Sequence, residues 1–455
     1  MADNIKNGVH GCSAADDYIQ PTDPLVVEKL ESFRDRKIGL MIHWAPVTQL
    51  GITESWPQVD TEAEWSQKDI DWTNDMDSFR REYRDLHKTF NPIRFEPKKW
   101  ASLAKECGFQ YLLFTTKHHD GFCMWDTETT DYKITSKNCP FHKHSYKDIV
   151  KHLFNAFRDE GIPIHAYFSK PDWDSPYYWN KEIPWPDNKT DRNPNYKISE
   201  HPELWEQFVQ FTHTQIRELL MGYGDIECLW LDGGWVNPSN LGQDIRIGEI
   251  VNEIRKVHQP GLICADRTVG GAYENFITPE QSRPEAPIFV PWESCITLGR
   301  SFTFRYDDTY KTPREVIHLL IDIVAKGGNL ALNITPQPDG RLPHQGIQVL
   351  KELGKFLTTY GEGIYGTRVC EPYIINQYAF TKKENCYFVY YLYKEGERIK
   401  HSFTIPIQCD VTDIREMGTG ESLGFSRSDA GLEIQLKERS DINTQYVEGF
   451  TLYLK

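Results

Sequence analysis

The chain has 455 residues, of which 39% are hydrophobic and 26% are charged, and this length favours a large domain accompanied by a smaller one. Its formal net charge of -15 at pH 7, without a basic patch or tail, argues against nucleic acid or an anionic membrane surface as the main partner. The charge balance therefore favours a neutral substrate. No stretch approaches the roughly 20 apolar residues that span a bilayer, so we expect no membrane span.

Residues 1–24 are an N-terminal segment without a predicted element. Met1–Gln20 lacks the apolar stretch of a signal peptide, although a chain trimmed of its leader would look the same. The compartment is therefore left open: a trimmed leader would favour the periplasm or secretion, and otherwise the cytoplasm is expected. The ten cysteines include no C-x-x-C pair, so the sequence predicts no thiolate zinc site.

Seven short apolar runs alternate with helix-like segments between residues 25 and 357. The runs lack clean polar alternation, which is typical of strands buried on both faces, and strands separated by helices form parallel βαβ units. No G-x-G-x-x-G follows the first run, so we predict an irregular (β/α)8 TIM barrel over residues 25–357 rather than a dinucleotide-binding sheet. The runs are Ile38–His43, Tyr111–Lys117, Ile164–Ser169, Ile226–Asp232, Leu262–Arg267, Ile288–Glu293 and Asn329–Thr335.

Two long insertions, Ile52–Asp77 and Lys170–Glu200, interrupt this alternation. Both are rich in Trp, Pro, Asp and Asn, and both follow strand ends, where active-site loops belong. The chain has 13 Trp, 23 Tyr and 23 Phe, most of which we expect in a core. Some of these rings are available to stack on the apolar faces of sugars.

Helical periodicity disappears after Leu357, and Gly361-Glu362-Gly363 marks the change. We predict a small antiparallel β-sandwich over residues 358–455. Its strand-like runs are Cys386–Tyr393, His401–Ile407, Leu432–Leu436 and Phe450–Leu454.

Polar side chains close nearly every predicted barrel strand, and the active sites of such barrels lie at the C-terminal ends of the strands. Two of these groups, Asp232 and Glu293, are carboxylates on different strands. Paired carboxylates that flank one bond are what glycoside hydrolysis requires, with a separation of about 5–5.5 Å in retaining enzymes. Trp230 shares a strand face with Asp232 and is expected to lie beneath it.

Structural and metal-binding alternatives remain open at this point. A metal enzyme resembling the barrel amidohydrolases would normally place two His at i and i+2 on the first strand, whereas this chain has Ile42-His43-Trp44, so we predict no metal. The structural alternatives are a turn at Asp232 before Gly233-Gly234, a salt bridge from Glu293 to Arg300 or Arg305, a satisfied core histidine at His43, and pairing of Arg267 with Asp266 or Asp232.

Several motifs, in order from about Lys29 to the chain end, resemble glycoside hydrolase family 29, the α-L-fucosidases. The most specific are His118-His119-Asp120-Gly121-Phe122 and Trp230-Leu231-Asp232-Gly233-Gly234. The other matching stretches are Ile42-His43-Trp44, Pro291-Trp292-Glu293-Ser294-Cys295, Lys326-Gly327-Gly328-Asn329-Leu330 and Gly361-Glu362-Gly363-Ile364-Tyr365.

The resemblance implies a barrel with a C-terminal sandwich, no cofactor, and a retaining double displacement that removes terminal α-L-fucose from fucosylated oligosaccharides or glycoconjugates. It implies Asp232 as nucleophile and Glu293 as acid/base. The family places an adjacent glutamate and tryptophan after the first strand. Glu54 and Trp56 are the candidates here, although Ser55 separates them, and the adjacent pair Glu64 and Trp65 competes. The other implied sugar-binding residues are His43, His118, His119, Tyr167, Trp230 and Arg267.

Two departures from the family pattern stand out. Ala45 follows His43-Trp44 where glycine is usual, and Arg300–Phe304 replaces a Ser-Trp-x-Tyr run that should border the leaving-group side. The second departure leaves the linkage preference open. The alternative functions are a related α-L-glycosidase, such as an α-L-galactosidase, and a fucose-binding protein without turnover.

Overall fold

The computed structural model describes residues 18–437 and 446–455. Most of the predicted N-terminal segment, residues 1–17, lies outside the described residues. The first helix, α1 (Pro24–Arg36), begins where the side chain of Asp23 accepts a hydrogen bond from the backbone N–H of Leu25. This interaction satisfies one of the free amide groups that every helix N-terminus exposes.

Seven parallel strands curl into the barrel sheet and confirm the predicted fold class. Their order in the sheet is β5-β4-β3-β2-β1-β7-β6, so neighbours in sequence are mostly neighbours in space. Every residue of these strands is buried except Asp232, which is partly exposed at the end of its strand. The strands are β1 (Ile38–Ile42), β2 (Leu112–Lys117), β3 (Ile164–Ser169), β4 (Cys228–Asp232), β5 (Ile263–Asp266), β6 (Glu293–Thr297) and β7 (Asn329–Ile334).

An irregular segment, residues 274–280, fills the gap between β5 and β6. Glu274 makes an antiparallel bridge to Ala265 of β5, and Glu280 makes a parallel bridge to Cys295 of β6. Ile277 makes a second parallel bridge, to Trp292. This segment takes the place of an eighth strand and closes the barrel.

The predicted strand Ile288–Glu293 is wrong, because β6 begins at Glu293 rather than ending there. Residues 288–291 form a loop in which Phe289 is fully exposed. The run looked like a strand because it is apolar, whereas the true strand opens with Glu293-Ser294, whose polar side chains are buried. Glu293 therefore lies at the opposite end of the barrel from the expected active site.

Helices cover the outside of the sheet, and their apolar faces pack on it. The capping box of the helix that precedes β7 is complete, since Thr312 and Glu315 each bind the backbone N–H of the other. The helices after α1 are α2 (Glu64–Gln67), α3 (Met76–Asp85), α4 (Pro97–Glu106), α5 (Ile149–Asp159), α6 (Pro202–Gly222), α7 (Ile247–Val257), α8 (Pro313–Ala325) and α9 (His344–Tyr360).

The C-terminal part is a β-sandwich, as predicted. One sheet has the order β12-β15-β10-β9-β8 and the other β11-β14-β13, with antiparallel pairing throughout. Phe388 and Tyr390 of the sandwich share a hydrophobic cluster with Phe356 and Leu357 of α9, so the sandwich rests on the barrel. The strands are β8 (Ile374–Ile375), β9 (Tyr378–Lys383), β10 (Cys386–Leu392), β11 (Ser402–Ile405), β12 (Val411–Glu416), β13 (Phe425–Ser428), β14 (Gly431–Gln435) and β15 (Val447–Leu454).

Within residues 18–437 and 446–455, every helix is too short or too polar to cross a bilayer.

Candidate active site

Asp232 ends β4 at the mouth of the barrel, and three donors hold its carboxylate. Tyr167 donates its hydroxyl to Oδ2 at 2.5 Å, Arg267 donates Nη1 to Oδ1 at 3.0 Å, and the Gly233 backbone N–H reaches Oδ1 at 2.7 Å. The side chain remains 15% exposed. Asp232 is therefore fixed in orientation and still accessible.

The charge state of Asp232 suits a nucleophile. Burial raises the pKa of its carboxyl group, but the positive charge of Arg267 and the hydrogen bond from Tyr167 outweigh burial and hold the pKa well below its usual range. Asp232 is thus ionised across the physiological pH range.

Trp230 supports the site from below. Its ring stacks on Tyr167 with centroids 5.3 Å apart, and the Arg267 guanidinium lies 5.1 Å from its centre. The tryptophan itself is completely buried, so it orients the two donors of Asp232 and is covered by them. A sugar ring above Asp232 would meet Tyr167 and Arg267 before it met the indole.

Three histidines line the same mouth. The Nδ1 atoms of His118 and His119 are occupied by Ser55 Oγ at 2.7 Å and Ser169 Oγ at 2.6 Å. Their Nε2 atoms are thereby left for the cavity, and His119 Nε2 lies 3.9 Å from Asp232 Oδ2. Both adjacent histidines reach the site because β2 has already ended at Lys117.

His43 is buried, and neither ring nitrogen has a hydrogen-bond partner within the described residues. Its ring lies 4.8 Å from that of His118. Burial lowers the pKa of His43 well below its usual value, and burial also lowers that of His119, to about 4. These imidazoles are neutral at pH 7, and the unpaired nitrogens of His43 are suited to sugar hydroxyls.

The prediction of no metal stays a prediction. His118, His119 and Asp232 offer ligand atoms that lie within 4.8 Å of one another. The same carboxylate is already salt-bridged to Arg267, so a cation placed there would face a like charge.

The structure brings Glu54 and Trp56 to the site rather than Glu64. Glu54 is buried and accepts a hydrogen bond from Ser301 at 3.3 Å, whereas Glu64 is exposed. Trp56 contacts the His119 ring at 5.3 Å, and Trp65 lies behind Trp56. The segment Arg300–Phe304, which differs from the family pattern, therefore holds the loop that carries Glu54 through hydrogen bonds of Ser301 and Thr303.

The Glu54 carboxyl group is protonated at neutral pH. Burial raises its pKa to about 8, and the negative charge of Glu280 adds to the effect. Its backbone adopts a φ of 31°, which is rare for a residue with a side chain. Thr303 Oγ1 accepts a hydrogen bond from the Glu54 backbone N–H at 3.3 Å and so helps to hold this conformation.

Glu293, the expected acid/base, is enclosed at the base of the barrel. It is 0% exposed and accepts hydrogen bonds from Tyr111 at 2.5 Å and Trp230 Nε1 at 2.9 Å. Neither Arg300 nor Arg305 pairs with it; their partners are Asp307 and Asp308, and Asp69 and Asp307. Burial raises its pKa to about 7.

Gly39 makes room for the Tyr111 side chain, which donates its hydroxyl to Glu293. A Cβ on Gly39 of β1 would lie 2.0 Å from the Tyr111 ring, so only glycine lets the tyrosine cross the barrel to Glu293. The placement of Glu293 at a strand's C-terminal end was therefore wrong, for a reason that the sequence pattern did not contain.

Glu280 is the functional candidate that the sequence analysis missed. Arg267 contacts Glu280 through Nη2 and Asp232 through Nη1, so one guanidinium joins the two carboxylates. The Glu280 side chain is 23% exposed. It lies in the irregular segment 274–280, where no periodic pattern marks a strand end.

Comparison with known proteins identifies the family of this chain. A sequence model of the α-L-fucosidase family matches residues 9–362. An α-L-fucosidase from Dictyostelium discoideum is 26% identical over 377 residues, which cover 78% of this chain and 73% of that protein. The tissue α-L-fucosidase of Homo sapiens is 25% identical over 422 residues, which cover 89% of this chain and 84% of that protein.

Solved structures show the same similarity. α-L-Fucosidase isoenzyme 1 from Paenibacillus thiaminolyticus has a TM-score of 0.77 at 26% identity and covers 95% of this chain and 100% of its own. The Thermotoga maritima α-fucosidase, solved with a mechanism-based inhibitor, has a TM-score of 0.74 at 25% identity and covers 96% of this chain and 100% of its own. With the family match spanning most of the sequence, this chain belongs to the α-L-fucosidases of glycoside hydrolase family 29, glycosidases that release fucose from glycans.

Proposed function

We propose that the protein is a retaining exo-glycosidase that removes terminal α-L-fucose through a covalent fucosyl-enzyme intermediate, with Asp232 as nucleophile and Glu280 as acid/base. The observation that carries this proposal is the single Arg267 guanidinium that contacts both carboxylates. Two carboxylates that share one guanidinium are close together, as the short separation of about 5–5.5 Å in retaining enzymes requires.

In the first step, ionised Asp232 attacks the anomeric carbon and forms an ester with fucose. This step requires Glu280 to carry a proton when the substrate is bound; Glu280 passes that proton to the glycosidic oxygen as the bond between this oxygen and the anomeric carbon breaks. In the second step, Glu280 takes a proton from water, the water oxygen attacks the anomeric carbon, and Asp232 leaves as carboxylate. The donors Tyr167 and Arg267 keep Asp232 ionised between turnovers.

Glu280 suits the acid/base role better than Glu293 or Glu54. Glu293 is enclosed beneath Trp230 without solvent contact. Glu54 is buried and its carboxyl group accepts a hydrogen bond from Ser301, so a leaving group and water reach it less easily than they reach Glu280. Glu280 retains exposure toward the mouth, where a leaving group departs and water enters.

The histidines supply the fucose pocket in this proposal. His43 has two unpaired ring nitrogens, and His118 and His119 keep Nε2 unoccupied by serine. Phe302 lies 6.1 Å from the His43 ring and offers an apolar surface. Fucose carries a methyl group where L-galactose carries a hydroxymethyl group, so an apolar neighbour favours fucose over the α-L-galactosidase alternative.

The proposal is tested by nucleophile rescue. Asp232→Gly should lose nearly all activity on an aryl α-L-fucoside, and azide should restore turnover and yield β-L-fucosyl azide. The Thermotoga maritima relative binds fucose and a mechanism-based inhibitor, and we propose the same ligand class here. Retained activity in Asp232→Gly without azide, or binding of fucose without any hydrolysis by the unaltered protein, would contradict the mechanism.

A further inference from the structure

Ser169 is a buried serine at the end of β3 whose hydroxyl makes two hydrogen bonds. Its Oγ lies 2.9 Å from the carbonyl oxygen of Pro171 and 2.6 Å from His119 Nδ1. The residue is 0% exposed, so both contacts are made away from bulk water. A serine hydroxyl has a single proton and can donate only one of these two bonds.

The Pro171 carbonyl decides where that proton goes. A carbonyl oxygen only accepts, so Ser169 donates to Pro171 and accepts a hydrogen bond from the Nδ1–H of His119. Burial lowers the pKa of His119 to about 4, so the ring is neutral at pH 7. A neutral imidazole has one N–H, and the Nε2 atom of His119 therefore carries a lone pair.

The turn that presents the Pro171 carbonyl is held against the end of β4. Lys170 donates its backbone N–H to the carbonyl oxygen of Asp232 at 3.0 Å. The Pro171 ring lies so close to Gly233 that a Cβ on this glycine would be 2.3 Å from Pro171 Cδ. The acceptor for the Ser169 proton is therefore fixed by the same backbone that carries the proposed nucleophile.

The position of the His119 proton decides how this ring meets Asp232. His119 Nε2 lies 3.9 Å from Asp232 Oδ2, beyond hydrogen-bond distance. The lone pair of Nε2 and the ionised carboxylate are both acceptors, so a donor bound beside them, such as a fucose hydroxyl, is favoured. The opposite tautomer would place an N–H next to the carboxylate and would engage the nucleophile in a hydrogen bond.

We propose that Ser169 is a positioning residue that locks His119 in the Nδ1–H tautomer, so that His119 Nε2 accepts a hydrogen bond from a fucose hydroxyl and donates none to Asp232. This inference rests on the proposed function, in which Asp232 attacks the sugar. It adds to that function a proton arrangement that exists before substrate binds.

Ser55 provides the matched comparison. Its Oγ lies 2.7 Å from His118 Nδ1, and within residues 18–437 and 446–455 it makes no second hydrogen bond that would fix its proton. The same argument therefore leaves the tautomer of His118 undetermined. Ser55→Ala removes a serine from the neighbouring histidine without touching the bond between Ser169 and Pro171.

NMR locates the ring protons in solution. Long-range proton–nitrogen spectra of the full chain with isotope-labelled histidine distinguish a protonated ring nitrogen from one with a lone pair, and the signals missing in His119→Gln belong to His119. The unaltered enzyme should show His119 protonated at Nδ1 alone. In Ser169→Ala, Nδ1 loses its acceptor and the Nε2–H form should become populated, whereas Ser55→Ala should keep the Nδ1–H pattern. A proton on Nε2 in the unaltered enzyme, or an unchanged pattern in Ser169→Ala, would overturn the proposal.

Deoxy substrates identify the hydroxyl that donates to His119. We compare kcat/KM on an aryl α-L-fucoside and on its 2-, 3- and 4-deoxy analogues for the unaltered enzyme and Ser169→Ala. Removal of the donating hydroxyl should cost the unaltered enzyme about twofold to tenfold more than it costs Ser169→Ala, which is the range of one neutral hydrogen bond. The other two hydroxyls should cost both enzymes equally. Equal costs at every position would refute His119 as the acceptor.

The NMR result also separates this proposal from the proposed function, because the proton positions are read without turnover. Absence of aryl-fucoside hydrolysis by the unaltered enzyme would contradict the proposed function, and the His119 spectrum would still decide the lock. An active enzyme with His119 in the Nε2–H form would refute the lock and leave the double displacement standing.

Discussion

Trp230 donates its indole N–H to Glu293 at 2.9 Å, directly beneath the pair of groups that hold Asp232. The buried carboxylate thus fixes the angle of a ring on which Tyr167 stacks and Arg267 rests. We propose that Glu293 acts on the site through Trp230, as a positioning and stabilising residue.

Glu293→Ala should destabilise the fold by about 2–4 kcal/mol, because it leaves a cavity and two buried donors, Tyr111 and Trp230, without an acceptor. Glu293→Gln keeps an acceptor oxygen for Trp230 and should lose only about 1 kcal/mol. Urea unfolding measures both values. Activity of Glu293→Gln should fall equally on good and poor leaving groups; a selective loss on poor ones would return the acid role to Glu293.

Glu280→Ala should lower kcat/KM about 10²–10⁴-fold on fucosides with poor leaving groups, which need a proton, and far less on strongly activated aryl fucosides. Initial rates on a series of aryl fucosides whose leaving groups differ in pKa give the dependence of kcat/KM on the leaving group. Azide should accelerate turnover of an activated substrate and yield α-L-fucosyl azide. An equal loss across the series would place the acid elsewhere.

Arg267→Lys should move the acid limb of the kcat/KM pH profile toward higher pH. The pKa of Asp232 is depressed chiefly because the Arg267 charge and neighbouring donors outweigh burial. A lysine side chain lacks the planar guanidinium with which Arg267 binds Asp232 and Glu280 together, so its interaction with Asp232 should be weaker. Burial then raises the Asp232 pKa, and ionisation requires a higher pH. A profile superimposable on that of the unaltered enzyme would contradict this account of Asp232.

Glu54 should make the fold less stable as pH rises from about 4.5 toward about 8. Burial raises its folded-state pKa to about 8, and the negative charge of Glu280 adds to this, so in this interval the folded state binds a proton that the unfolded state has lost. The free energy of unfolding therefore falls with rising pH. Glu54→Gln carries no such proton and should remove this component. Urea midpoints at pH 5 and pH 8, compared between the two proteins, give the difference; an identical pH dependence would refute it.

The sequence was sufficient for most of the barrel because buried parallel strands are continuous apolar runs. Six of the seven runs correspond to strands, and the polar groups that close them meet at one mouth, as Asp232 and His118 show. It failed between residues 274 and 297. There an apolar loop imitated a strand, while the true strand began with the polar pair Glu293-Ser294.

The same physical reason explains why the sequence did not indicate Glu280, the acid/base that we propose. Glu280 reaches the mouth through isolated bridges in an irregular segment, and neither periodicity nor turn chemistry marks such a path. The choice between Glu54 and Glu64 likewise depended on long-range contacts, because Ser301 and Thr303 hold the Glu54 loop from 247 and 249 residues away.

The two proposed reacting carboxylates are anchored to the scaffold by unequal means. Asp232 ends β4, which is paired with a neighbouring strand on each side, whereas Glu280 depends on single bridges. A shift of the segment 274–280, in which residues 274–279 are buried, should therefore move the proposed acid relative to the fucose pocket without disturbing the register that holds the nucleophile.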